Sequence, residues 1–325
     1  MRNCRYGCVL LVATLLSSAP ASWSAAPVEP DPAAVPAPAP DVGTAVAGPQ
    51  FAVPTTYDRA GRIVAEVHLG EQGPFRFILD TGANRSALSE SLASELALVP
   101  TKNYLVHGIT GSAVMPVVVV ERLRVGELKF GSQPLAILPD AVFAGTAGIL
   151  GIDLLQKAFI DVDFENDRVT VRRAGRAVPE GQLVVRARLR RGGLLAIPGQ
   201  VGKVRVSIII DTGAERTLGN EQLRAALAGR EAVLDGEVTR VVGATAHEAE
   251  GYSFAVPTVD LGGGAFVDRL RVTFGDFHVF KIWSLVDKPA LLVGMDALGT
   301  LPRFGIDYPR RRFLLGVENA SPPTG

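Results

Sequence analysis

An all-β protein containing one unit written twice is predicted from three observations. The apolar residues alternate over short runs, as in Val64-Ala65-Glu66-Val67-His68-Leu69 and again over residues 184–189, which is the period of a half-buried strand. Gly and Asn/Asp turns separate these runs, and no strand–helix alternation is long enough for a parallel α/β sheet. An internal offset then relates two stretches of the chain. Phe77-Ile78-Leu79-Asp80-Thr81-Gly82-Ala83-Asn84-Arg85 returns 131 positions later as Ile208-Ile209-Ile210-Asp211-Thr212-Gly213-Ala214-Glu215-Arg216.

The later matches keep their order while the shift grows. Residues 106–111 (Val-His-Gly-Ile-Thr-Gly) return at 241–246, and Leu150-Gly151-Ile152-Asp153 returns as Val293-Gly294-Met295-Asp296, 143 positions on. Asp163 and Arg168 return as Asp307 and Arg312. The second copy therefore reads as the first with loop insertions. Helical signals are brief: Ser89 caps a helix over 90–98 and Asn220 one over 221–228, with a further turn after Gly151 and after Gly294.

Composition bounds the function classes. The 325 residues carry 33 basic and 33 acidic side chains and are 47% hydrophobic, enough for a sizeable core and without the net charge of a sequence-independent nucleic-acid binder. No nucleic-acid partner is expected. Residues 1–25 have the layout of a secretory signal: Arg2 and Arg5, an apolar run over 8–16, then small residues, with cleavage after Ala21 or after Ser24. Both cysteines, Cys4 and Cys8, lie in that segment, so the mature chain is expected to have no disulfide and no Cys-based metal site. Residues 26–51 form a Pro/Ala-rich linker with seven prolines up to position 50 and no base. The two copies are then expected at 52–178 and 182–317, followed by a disordered tail at 318–325. No further segment has about 18 consecutive apolar residues, so no membrane span is expected in the mature chain. The expected location is periplasmic or secreted.

The repeated Asp-Thr-Gly carries the chemistry. A carboxylate leaving a buried strand needs a compensating partner, because an isolated buried charge is costly or is neutralised by protonation. One such motif is compatible with a simple turn. Two in one chain suggest that Asp80 and Asp211 are each other's partner and share one proton across a pseudo-twofold axis. Such a pair can deprotonate a water while protonating the carbonyl that the water attacks. Gly82 and Gly213 fit there because a backbone N–H must come close to each carboxylate without a Cβ in the way.

With these residues, the chain resembles a retroviral-type (retropepsin-like) aspartic protease, duplicated and fused into a bilobal, pepsin-like single chain. Asp-Thr-Gly-Ala is the retroviral form of the motif, and Ile149-Leu150-Gly151 and Leu292-Val293-Gly294 match the family's two apolar residues and Gly on a late strand. The resemblance extends over residues 57–315. It implies two tandem lobes, each a closed or partly open β-barrel with short helices, forming a pseudo-twofold molecule with one cleft. It implies a catalytic dyad of Asp80 and Asp211, Thr81 and Thr212 bonded across the lobe junction, and flaps over the substrate at His107, Gly108, Thr110 and Gly111 and at Gly243 and Thr245. The implied activity is that of an aspartic endopeptidase, a hydrolase that binds extended peptide or protein substrates as a monomer and needs no metal or cofactor. Alternatives are a catalytically silent peptide- or protein-binding module of the same fold, and a dyad assembled between two chains.

Departures from the family pattern add expectations. The family's Arg after the late Gly is replaced by Ile152 and Met295, while Arg follows each Asp-Thr-Gly aspartate by five and Asp follows each late Gly by two. Charge-swapped bridges, Arg85 with Asp153 and Arg216 with Asp296, are therefore expected. Ala83 and Ala214 bring no hydroxyl to the dyad, which should raise its titration and favour mildly acidic activity. Elsewhere the solvated-face reading is preferred: for Asp161 and Asp163 over a metal pair, and for Arg186, Arg188, Arg190 and Arg191 over a binding patch. The glycines 145, 148 and 151 read as a turn entering a strand. His68, His107, His247 and His278 are dispersed and lack zinc spacing, with His107 bordering the first flap.

Overall fold

The computed structural model describes residues 8–10, 53–54, 56–58, 61–175, 182–228 and 236–316; most of the expected signal, the linker and the tail lie outside them. The fold is all-β, with strands in three sheets and only short helices.

Two of the sheets repeat one plan. In the first, the strands run Lys102–His107, Ser112–Val120, Gln133–Leu138, Ala87–Ser89, Gly148–Leu150, Gln72–Leu79, Ile63–Leu69, Leu123–Val125 and Leu128–Phe130. In the second, the order is Glu237–Val242, Glu248–Ala255, Arg271–Phe274, Leu218–Gly219, Ala290–Val293, Val204–Ile210, Leu195–Val201, Val259–Asp260 and Phe266–Val267. The two orders correspond strand by strand. Cys8–Leu10 lies parallel beside Lys102–His107 at the edge of the first sheet.

The third sheet joins the halves. Its order is Gln182–Arg186, Arg312–Gly316, Arg303–Asp307, Ala158–Asp163, Arg168–Arg173 and Val53–Pro54, and its centre is the antiparallel pair of Ala158–Asp163 with Arg303–Asp307. Phe159 faces Asp307 while Asp163 faces Arg303. Asp161 and Asp163 lie on this junction rather than on a free face. Asp161 accepts from Arg303 Nε at 2.9 Å and Nη2 at 2.5 Å, and Asp163 accepts from Asn166.

Alternation places the core. Ile63, Ala65 and Val67 are buried where Glu66 is exposed, and Phe77 to Leu79 and Ile208 to Ile210 are buried throughout, as in central strands covered on both faces. The run at 184–189 is not one strand. Ala187 donates its N–H to Arg311 O, and the chain leaves the junction sheet there for Arg188–Leu189 of the second large sheet.

Ser89 and Asn220 cap their helices, accepting from Leu92 N and Leu223 N at 3.1 and 3.0 Å. The first helix stops at Glu95 rather than 98 because Ala97 is left-handed, with φ of 48°. The turns after the late glycines are helices Ile152–Leu155 and Met295–Leu298. The helix His278–Ile282 has no counterpart in the sequence expectations. Gly145, with φ of 88°, turns into strand Gly148–Leu150 as expected. No helix among the described residues is long and apolar enough to cross a membrane.

Candidate active site

Asp80 and Asp211 follow strands Gln72–Leu79 and Val204–Ile210, where each chain leaves the centre of its sheet. The late strands fix these exits. Leu150 pairs in parallel with Leu79 and Val293 with Ile210, and Asp80 N and Asp211 N donate to Leu150 O and Val293 O, both at 3.0 Å. Gly151 and Gly294 pass close behind the loops. A Cβ on Gly151 would lie 2.6 Å from the Arg85 backbone, and one on Gly294 2.7 Å from that of Arg216.

Both carboxyls are fully buried. Asp80 Oδ1 accepts from Gly82 N and Ala83 N, both at 2.8 Å, and Asp211 Oδ1 accepts from Gly213 N and Ala214 N at 2.9 and 3.1 Å. The other oxygen of each has no donor among the described residues. The two carboxyls act on each other's ionisation, and one shared proton relieves the repulsion of two buried charges. Each glycine also packs against the opposite carboxyl: a Cβ on Gly82 would collide with Asp211 Oδ2, and one on Gly213 with Asp80 Cγ.

Thr81 and Thr212 bond reciprocally beneath the pair. Thr81 N donates to Thr212 Oγ1 at 3.2 Å and Thr212 N to Thr81 Oγ1 at 3.1 Å, while the hydroxyls donate to Ile210 O and Leu79 O.

Burial raises both carboxyl pKa values. Asp80 is pushed up to about 7 by desolvation, opposed by the Gly82 and Ala83 amides and by the charge of Arg62. Asp211 is raised well above the ordinary carboxylate range by desolvation and then by the negative charge of Asp80. Desolvation is thus the leading cause, where the sequence pointed to the missing hydroxyls at 83 and 214. The pair is electrostatically asymmetric. Arg62 is fully buried and ion-paired to Asp58 at 2.6 Å in the first half, whereas the strand-equivalent residue of the second half is Leu194. Tyr308 is buried nearby, and its phenol pKa is raised by desolvation and by both aspartates.

The two candidate flaps are hairpins whose tips meet. Thr110 Oγ1 donates to His247 O at 2.6 Å, and Gly243 approaches Thr110 so closely that a Cβ would lie 2.6 Å from its Oγ1. Gly108 faces Thr245, and Gly111 packs on the His247 ring. The first hairpin also grips helix His278–Ile282, through Val279 N to Ile109 O at 3.1 Å. Three polar side chains bridge there. Ser112 Oγ lies 2.5 Å from His107 Nδ1 and 2.9 Å from His278 Nε2.

Of the expected charge-swapped bridges, Arg85 with Asp153 forms as a long pair at 4.0 Å, whereas among the described residues Arg216 is paired not with Asp296 but with Glu215, at 3.9 Å. Hydroxyls hold both Asp153 and Asp296 more closely. Ser86 Oγ donates to Asp153 at 2.7 Å and accepts from Gly151 N; Thr217 Oγ1 donates to Asp296 at 2.6 Å and accepts from Gly294 N. Both hydroxyls stand six residues after their aspartate, a repeated signal that was legible in the sequence. Arg62 and Tyr308 had no comparable signal. Among the described residues no group of three or more His, Cys, Asp or Glu side chains is placed to hold a metal ion.

Residues 65–154 match the aspartyl protease family. The matched segment includes Asp80-Thr81-Gly82, the first hairpin and Gly151, and it supports an aspartyl protease type of hydrolase. Comparison with curated proteins gives no significant match.

Proposed function

We propose that this chain is an aspartic endopeptidase made of two fused, duplicated lobes, with Asp80 and Asp211 as one intramolecular dyad. The observation that carries the reading is the carboxyl pair itself: each aspartate has one oxygen held by two amides, the other without a donor among the described residues, and packs against the glycine of the opposite Asp-Thr-Gly.

The chemistry depends on one shared proton. A water between the carboxyls gives a proton to the ionised aspartate as its oxygen attacks the scissile carbonyl carbon, and the protonated aspartate gives its proton to the carbonyl oxygen. The resulting gem-diol collapses when the aspartate now protonated gives its proton to the amide nitrogen, the ionised one takes the proton of a gem-diol hydroxyl, and the C–N bond breaks as the carbonyl re-forms. Arg62 favours ionisation of Asp80, leaving Asp211 as the proton donor. The amides of Gly82, Ala83, Gly213 and Ala214 hold both carboxyls in place with no reorganisation during the reaction.

Substrates would bind extended beneath the hairpins, pairing backbone to strand edges. Both aspartates lie in one chain, which supports a monomer. Export by residues 1–25 to a periplasmic or extracellular site is part of the same reading. The test is cleavage of a denatured protein mixture from pH 3 to 7.5, with chelator present, by the wild type, Asp80→Asn and Asp211→Asn. A cutting wild type beside two folded, inactive variants supports one dyad. An intact but inactive wild type would instead favour a peptide-binding module.

A further inference from the structure

A cavity of about 500 Å³ opens between the halves, next to the dyad loop. It is lined by Asn84, four residues beyond Asp80, with Arg191 and Gly192, by Lys281, Ile282 and Trp283, and by His107 of the first hairpin.

Glycine geometry fixes where Arg191 stands. Gly192 and Gly193 have φ of 81° and 86°, a left-handed pair that favours glycine. The turn lies flat on the first half: a Cβ on Gly193 would be 2.8 Å from Ile152 Cγ2, and one on Gly192 3.4 Å from Asn84 Cβ. Arg191 therefore stands in a tight turn beyond strand Arg188–Leu189 and is presented at the cavity.

The cavity's polar groups are of one sign. Among the described residues no carboxylate lines it, and Arg191 is in no ion pair. Position 84 is Asn where the second half has Glu215, so no acid stands there to neutralise the guanidinium. Lys281 is paired with Asp276 at 2.7 Å, but both are exposed, and such a pair is weak and readily exchanged. Trp283, mostly buried, and Ile282 give the same cavity an apolar lining.

We infer that this cavity selects the substrate by binding a carboxylate, either an acidic side chain or the C-terminal carboxylate of a peptide. Ile282 and the indole take the methylene stem, while Arg191 donates to the carboxylate oxygens and Lys281 adds its charge. The inference deepens the proteolytic reading and rests on it only for the cleavage step, not for binding.

The test is calorimetric binding to the full chain carrying Asp80→Asn, which keeps the peptide intact. Neutral peptides are compared with versions carrying Glu or Gln at each successive position, and free C-terminal acids with their amides. Preference on the order of tenfold for Glu over Gln at one position, or for acid over amide, is expected from a charge-assisted bond, and the arm that responds identifies the source. Arg191→Gln, at an exposed residue, should reduce that preference to about twofold or less, and Arg191→Glu should shift it to Lys. Equal affinities, no measurable binding, or a preference that survives Arg191→Gln would overturn the inference. A preference seen in binding while the wild type cuts none of these peptides would overturn proteolysis and leave the subsite standing.

Discussion

Thr81 and Thr212 are bonded so that each hydroxyl ends on the carbonyl just before the other half's aspartate: Thr81 Oγ1 on Ile210 O at 2.8 Å, Thr212 Oγ1 on Leu79 O at 2.6 Å. The two Asp-Thr-Gly loops therefore form one rigid unit, and the spacing of the carboxyls depends on it. Thr81→Val and Thr212→Val each leave buried amide and carbonyl groups unpaired, at a cost of about 1–3 kcal/mol each. Urea denaturation should show that loss, the double variant should cost less than the sum because the bonds are shared, and Ser at either position should restore most of it.

A Cβ has no room at Gly82 or Gly213, where it would meet the opposite carboxyl. Gly82→Ala and Gly213→Ala are expected to displace that carboxyl, to destabilise by about 1–3 kcal/mol as overpacked sites do, and to abolish cleavage. Gly131→Ala is the control, since nothing lies within 4 Å of its Cβ position. It should stay within about 0.5 kcal/mol of the wild type. Equal melting behaviour of all three variants would count against the crowded geometry.

Much of this arrangement was legible because the repeat writes it twice. Period-2 alternation, the two Asp-Thr-Gly motifs and the late glycines place strands, loops and carboxyls without any coordinates. The short helix caps at Ser89 and Asn220 were equally plain. What escaped depends on contacts between distant parts of the chain. Arg85 and Asp153 have the right charges and spacing for a bridge, yet a hydroxyl one residue further on reaches the carboxylate first, with a geometry that only the folded loop defines. Likewise the Arg191 turn reads as part of an alternating strand until Gly192 and Gly193 are seen to carry it across to Asn84.

The buried pair of Asp80 and Asp211 imposes a pH dependence opposite in sign to that of an ordinary carboxylate. Because the folded pKa of Asp80 is raised, to about 7, and that of Asp211 is raised well above the ordinary range, the native state holds protons that the unfolded chain has released. The stability linked to the dyad is therefore fully present below the ordinary carboxylate pKa and is lost as pH rises through the folded value. Asp80→Asn should be more stable than the wild type at pH 7.5, and the difference should shrink toward pH 4. Denaturation curves across that range check it. Cleavage should correspondingly favour mildly acidic over strongly acidic pH, and an optimum near pH 2 would contradict the raised pair.

The histidines at the hairpin work in the other direction. Burial, and then the His278 charge, hold His107 below its ordinary pKa; burial, Lys281 and His247 do the same for His278. The native state binds fewer protons there than the unfolded chain, so this contribution is present above the ordinary imidazole pKa and is lost as pH falls through the lowered values. Protonating both rings places two like charges around Ser112 Oγ. Acidification should thus loosen the first hairpin from helix His278–Ile282. Hydrogen exchange over residues 107–112 is expected to quicken as pH falls, after correction for the intrinsic rate, and His278→Gln should flatten that dependence.

The hydroxyl network behind the late glycines supplies the last prediction. Ser86 and Thr217 each join a glycine N–H to a mostly buried carboxylate, and burial raises the pKa of Asp153 and Asp296 while these hydroxyl bonds oppose the rise. Arg85 and Arg216 are partly exposed, and Arg85 touches Asp153 only at 4.0 Å. If the hydroxyls carry the loop, Ser86→Ala and Thr217→Val should each cost about 1–3 kcal/mol, because a buried carboxylate and an amide lose their partner together. Arg85→Ala and Arg216→Ala should each cost under about 1 kcal/mol, as exposed ion pairs do. Thr217→Ser keeps the hydroxyl and should remain close to the wild type. Chemical denaturation of the five variants decides between the two accounts: arginine losses as large as the hydroxyl losses would return the main role to the ion pairs.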